Sequence, residues 1–145
     1  MMNKMTGVLF AACALAFAHE HIALNGTWTL KPARSDFAGQ PAMLNGTVTI
    51  NERQGNVTVA RSFAYQGAGE TLFYRDMSDS ENSATIHVGK DYKTKAKWDH
   101  DVLKVTTTES GAVTLETYTL SASGVMTVHV ARPGRPPVTL VFERQ

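Results

Sequence analysis

The chain has 145 residues, with 14 lysines and arginines, 13 aspartates and glutamates, and a formal net charge of +1 at pH 7. This near neutrality argues against nucleic acid or an anionic lipid surface as the main partner, because both are recognised through a strongly basic surface. The length predicts one domain with a core of its own, although the single cysteine leaves no intramolecular disulfide to support it.

A short apolar segment at the start of the chain predicts a secretory signal peptide. Lys4 precedes an apolar run over residues 7–17, and the small-x-small triplet at 16–18 is typical of a cleavage site. The run is far shorter than the ~20 residues that cross a bilayer, so we expect no membrane span. We therefore predict a signal peptide over residues 1–18 and a single domain over residues 19–145 of a secreted or periplasmic protein.

Cys13 leaves an alternative open for the leader. In a lipoprotein Cys13 would be the first mature residue, although Phe10 would then stand where a lipobox usually has leucine. Cleavage before His19 instead gives a cysteine-free chain of 127 residues with no formal net charge.

Cleavage before His19 would also create a terminal metal-binding pattern. His21 would become the third residue, and a terminal amine, two backbone nitrogens and a third-position imidazole can form a square-planar copper or nickel site. The alternative is a disordered polar terminus. We predict no other cofactor.

Short segments rich in Val, Thr, Ile, Tyr and Trp follow, and polar or glycine-containing breaks separate them about every ten residues. The breaks are too short for parallel crossovers, so each strand pairs most simply with the next. The sequence therefore predicts an all-β domain, a single antiparallel up-and-down meander. The predicted strands are 24–31, 43–51, 56–65, 70–77, 83–89, 92–98, 102–109, 112–121, 124–131 and 137–144.

Alternation along each strand separates an inward from an outward face. The last strand shows it best, because Val138, Leu140 and Phe142 share one parity and Arg144 continues it. Ten strands are enough to close on themselves, which removes exposed sheet edges. We predict closure into a β-barrel of about 8 to 10 strands, whose interior is either hollow or filled.

The first mature strand carries a family resemblance. Residues 24–30 read Leu-Asn-Gly-Thr-Trp-Thr-Leu, which resembles the Gly-x-Trp opening of lipocalins and other calycins, and residues 31–37 extend the likeness to an uncharacterised group of small exported bacterial lipocalin-like proteins. The resemblance implies a lipocalin-like β-barrel over residues 19–145 that binds a small apolar molecule. It also implies that Trp28 packs against Arg144 to close one end of the barrel.

Arg61 is the central candidate for ligand binding. It has the inward parity of its strand, and an unpaired buried guanidinium is costly, so it should meet a carboxylate of the protein or of a ligand. One hypothesis is that Arg61 orients an apolar ligand that carries an acid group. The alternative is that a bulge near Ala60 turns Arg61 to solvent while aromatic residues fill the core. The candidate ligand-binding residues are Arg61, Phe63, Tyr65, Tyr74, Trp98 and Tyr118.

The sequence has no catalytic motif: a Gly-x-Ser-x-Gly elbow, a phosphate-binding glycine loop and a His-Glu-x-x-His helix are all missing. We therefore expect that the protein is not an enzyme, with catalysis by a pair of carboxylates brought together by folding as the open alternative. We also expect a monomer. Two functions stay open, a carrier of a small apolar or amphipathic ligand and a filled barrel that acts as a structural or interaction protein at the cell envelope.

Overall fold

A computed structural model of the chain describes residues 22–54, 56–67, 70–79, 84–87 and 90–145. Side chains are described for residues 23–54, 56–65 and 93–145.

The described residues form ten strands and two short 3-10 helices, at Ile22–Leu24 and Pro32–Arg34. All ten predicted strands are confirmed, with ends that differ by a few residues. The strands are β1 (Gly26–Leu30), β2 (Met43–Arg53), β3 (Asn56–Gly67), β4 (Glu70–Asp79), β5 (Ala84–His87), β6 (Lys90–Asp99), β7 (Val102–Glu109), β8 (Ala112–Leu120), β9 (Val125–Ala131) and β10 (Val138–Arg144).

The ten strands form one antiparallel sheet that curls into a nearly closed barrel. Their spatial order is β4-β3-β2-β1-β10-β9-β8-β7-β6-β5, so the first and last strands are paired. The described residues of β4 and β5 approach each other at the remaining seam, where no ladder joins them. The predicted all-β, up-and-down meander is confirmed.

Where side chains are described, alternating residues of the strands fill the barrel, as the period of two predicts. On β10, Val138, Leu140 and Phe142 are all buried. On β6, Ala96 is buried while Lys95 is exposed to solvent on the outer face. The parity seen in the sequence therefore identifies the core correctly on these strands.

A β-bulge at the start of β2 changes this parity locally. The register between β2 and β3 shifts between Met43 and Asn45. The extra residue allows Met43 to be buried together with Val48, and it leaves Leu44 45% exposed. Both ladders of β3 run through Ala60 without a shift. The alternative of a bulge near Ala60 is therefore wrong.

The end of the barrel near the first 3-10 helix is closed around Trp28. This side chain is completely buried, and its Nε1 donates to the carbonyl oxygen of Leu24 at 2.9 Å. The guanidinium carbon of Arg144 lies 4.3 Å from the centroid of the Trp28 ring. Arg144 also donates to the carbonyl oxygens of Ala23 and Asn25. These contacts fasten the residues before β1 to the last strand.

Gly26 leaves the space that Arg144 occupies. Its φ of +131° is one that L residues rarely adopt, and a Cβ atom here would lie 2.6 Å from Nη1 of Arg144. The glycine of the Gly-x-Trp pattern therefore has a packing reason in this chain.

We expect Arg144→Ala to lower the free energy of unfolding by about 1–2 kcal/mol, because it removes the stacking on Trp28 and the charged donor to two carbonyls. Urea denaturation measures this loss. Arg53→Ala, at an exposed site near the end of β2, should change the same quantity by no more than about 0.5 kcal/mol. Equal losses in the two variants would contradict the closing role of Arg144.

Candidate functional site

A cavity of about 470 Å³ lies inside the barrel. Its volume is within the range of ~300–1,000 Å³ that is usual for small-molecule sites. Ala112, Pro133 and Arg135 contribute to its lining and are exposed, so the cavity opens at the end that carries the β7–β8 and β9–β10 turns. Its main apolar lining residues are Val48, Phe63, Val128, Val130, Leu140 and Phe142.

Phe63 is the centre of the aromatic wall. Its ring centroid lies 6.4 Å from that of Tyr65, in an edge-to-face arrangement, and 6.4 Å from that of Phe142. Gly46 is opposite Phe63 in the β2–β3 register, and a Cβ atom on Gly46 would lie 2.4 Å from Cδ1 of Phe63. The glycine therefore lets the Phe63 ring lie against β2.

An ion pair crosses the interior of the barrel. Nη1 of Arg61 pairs with Oε1 of Glu116, and the hydroxyl of Tyr118 donates to Oε2 of the same carboxylate. Arg61 lies on β3 and Glu116 on β8, five positions apart in the order of ten strands, so the two side chains come from opposite walls. The side chain of Arg61 is 1% exposed and that of Glu116 is 15% exposed.

Glu116 is the site residue that sequence reasoning missed. It has the same parity as Tyr118 on the predicted strand 112–121, so its inward position could have been found by alternation. The carboxylate required by Arg61 is thus present in the protein itself. Which carboxylate pairs with Arg61 depends on which strands face each other across the barrel. The pattern of a single strand does not show this.

The structure brings four of the six predicted ligand-binding residues to the cavity. Trp98 is half-buried and packs against the core, but it is not part of the cavity lining. Tyr74 pairs with Phe63 in the β3–β4 ladder, and its side chain lies outside the described residues. The four that line the cavity are Arg61, Phe63, Tyr65 and Tyr118.

The predicted copper or nickel ligands, His19 and His21, lie outside the described residues. In the part of the chain that is described, no group of three His, Cys, Asp or Glu side chains is placed to hold a metal ion. A search of the same part finds no helix with the length and apolar character needed to span a membrane.

Comparison with known proteins identifies the fold. No protein-family model and no curated protein sequence matches the chain. Among solved structures, a fatty acid binding protein of Schistosoma mansoni in complex with arachidonic acid aligns with a TM-score of 0.61 and 13% identity, over 85% of this chain and 96% of that chain. The fold is a calycin-like β-barrel.

Other solved structures share this fold. The fatty acid transporter REP1-NXSQ aligns with a TM-score of 0.59 and 15% identity, over 84% of this chain and 96% of its own. Secretory abundant heat soluble protein 4 from Ramazzottius varieornatus aligns with a TM-score of 0.58 and 12% identity, over 85% of this chain and 95% of its own. The calycin-like barrel implied by the Gly-x-Trp pattern is confirmed.

We expect Glu116→Leu to lower the free energy of unfolding by about 2–4 kcal/mol, because the buried Arg61 guanidinium then loses this carboxylate. The double variant Arg61→Leu/Glu116→Leu removes both charges and should recover at least half of that loss. Urea denaturation of the two variants and the wild type measures the difference. A single variant as stable as the wild type would show that the pair is not buried as the structure places it.

Proposed function

We propose that this chain binds a small apolar ligand inside its barrel and acts as an exported binding protein or carrier. The observation that carries the proposal is the cavity of about 470 Å³, whose apolar walls come from β2, β3, β9 and β10. Burial of a hydrocarbon chain there would contribute about 25 cal/mol for each Å² of apolar surface removed from water. The opening beside the β7–β8 and β9–β10 turns gives such a ligand a route into the barrel.

Similar solved structures support the apolar character of the ligand. Two of them are described as a fatty acid transporter and as a fatty acid binding protein in complex with arachidonic acid. Because a shared fold does not carry a shared ligand, the proposal for this chain rests on its own cavity. The alternative of a filled barrel that acts through its surface has less support, since the described side chains leave this cavity open.

Export is the second part of the proposal. It is supported by the basic residue Lys4, the apolar run over residues 7–17 and the cleavage pattern at 16–18. A protein processed there would meet its ligand in the periplasm or outside the cell. Mass spectrometry of the intact protein, recovered from culture medium or envelope, tests this part. We expect the mass of a chain that begins at His19. The mass of a chain that still carries residues 1–18 would contradict export by this route.

A bulky residue inside the cavity should compete with the ligand for space. Thr114 lines the cavity on β8, whereas its neighbour Leu115 is 37% exposed on the outer face of the same strand. With Nile red, an uncharged apolar dye, as the probe, we expect Thr114→Trp to weaken binding at least about tenfold, or about 1.4 kcal/mol. Leu115→Trp should leave the affinity for Nile red unchanged. Equal effects of the two substitutions would place the dye elsewhere and contradict the proposal.

A further inference from the structure

One part of the cavity wall, which we call the polar wall, is formed by Arg61, Glu116 and Tyr118 and includes a carboxylate. Among the described residues, Glu116 and Arg61 both line the cavity, but 15% of the Glu116 side chain is exposed and only 1% of the Arg61 side chain. Of the two side chains, that of Glu116 is therefore the more accessible to a ligand in the cavity.

Glu116 can accept more hydrogen bonds than the described residues donate to it. Arg61 approaches Oε1, and the hydroxyl of Tyr118 donates to Oε2. An ionised carboxylate offers about four lone-pair sites, so about two are left for other donors. A hydroxyl or an amide N–H on a ligand can occupy one of them without displacing either protein group.

Charge balance disfavours a charged head group at this wall. Arg61 and Glu116 carry opposite charges and form an ion pair. A ligand carboxylate would add a second negative charge beside Glu116, and its repulsion would add to the cost of removing that carboxylate from water. An ammonium group would leave an unbalanced buried positive charge. An uncharged head group adds no charge beside this ion pair.

We propose that the ligand carries an uncharged head group that donates a hydrogen bond to Glu116, as the hydroxyl of a fatty alcohol does. This inference deepens the proposed function and rests on it. It replaces the hypothesis that Arg61 binds an acid group directly. Arg61 becomes a positioning residue, because it holds the Glu116 carboxylate in place while its own charge is neutralised.

Arg132 and Arg135 offer an acid head group a different place at the opening of the cavity. Arg132 is half-buried and Arg135 is exposed, and Glu109 contributes to the same part of the lining. Attraction between charges that water reaches is worth about 0–1 kcal/mol. An acid held there therefore gains less than an uncharged donor gains from a hydrogen bond to the Glu116 carboxylate, which contributes about 1.5–3 kcal/mol.

Lauryl alcohol and laurate test the inference, since they share one alkyl chain and differ in the head group. Each is used at neutral pH to displace Nile red from the purified wild-type chain. We expect the alcohol to bind at least about tenfold more tightly than laurate. Laurate that binds as tightly as the alcohol, or more tightly, would overturn the inference and leave the proposed function standing. If neither lauryl alcohol nor laurate displaces Nile red, the inference and the proposed function are both overturned.

The variant Glu116→Gln tests which residue makes the distinction. It keeps the size of the side chain and removes the negative charge that opposes an acid beside Arg61. We expect the preference to invert, with laurate bound more tightly than lauryl alcohol. An unchanged preference would overturn the role of Glu116. The wild-type comparison does not depend on the stability of this variant.

Glu143 provides the matched control on the outside of the barrel. It lies 3.3 Å from Nζ of Lys31 and 2.7 Å from Nη1 of Arg34. The hydrogen bond and the charge of Lys31 lower the pKa of Glu143, so it is ionised at neutral pH. Glu143→Gln therefore removes the same charge at a distance from the cavity, and it should keep the wild-type preference. Inversion in this variant as well would show that the net charge of the protein, and not Glu116, sets the preference.

Discussion

A guanidinium buried inside a small barrel has to be paired, and the pairing of Arg61 with Glu116 connects the fold of this protein with its cavity. The two residues lie on β3 and β8, which face each other only when the sheet curls into a barrel. Because an ion pair needs hydrogen-bonding neighbours, the Tyr118 hydroxyl joins it at Glu116. The result is a buried polar site in the cavity wall, where we propose that the head group of a ligand is recognised.

The two inward-parity arginines illustrate how position decides the role of one residue type. Arg144 lies at the closed end, where its guanidinium stacks on Trp28 and donates to backbone carbonyls. Its charge stays in contact with water, so no carboxylate is needed. Arg61 lies in the interior, where removal from water makes a carboxylate partner necessary. Arg144 therefore closes one end of the barrel, and Arg61 holds the Glu116 carboxylate in the cavity wall.

Alternation and turn residues were enough to predict the ten strands and, away from the bulge in β2, which of the described side chains face the interior. They did not show how far along the barrel axis a residue lies, which is why Trp98 has the predicted inward parity and yet packs on the core away from the cavity. They also did not show the bulge that buries Met43, because an extra residue in one strand is visible only against its partner. The pairing with Glu116 required the order of all the strands.

The central claim is that an apolar ligand lies inside the barrel with its polar end at Glu116. Nuclear Overhauser effects between lauryl alcohol and the isotope-labelled protein measure this most directly. The account predicts contacts from the protons of the alkyl chain to the methyl groups of Val128 and Leu140. It also predicts contacts from the protons of the CH2 group that bears the hydroxyl to the ring protons of Tyr118. Contacts confined to the exposed side chains of Leu44 and Val113 on the outer surface would contradict it.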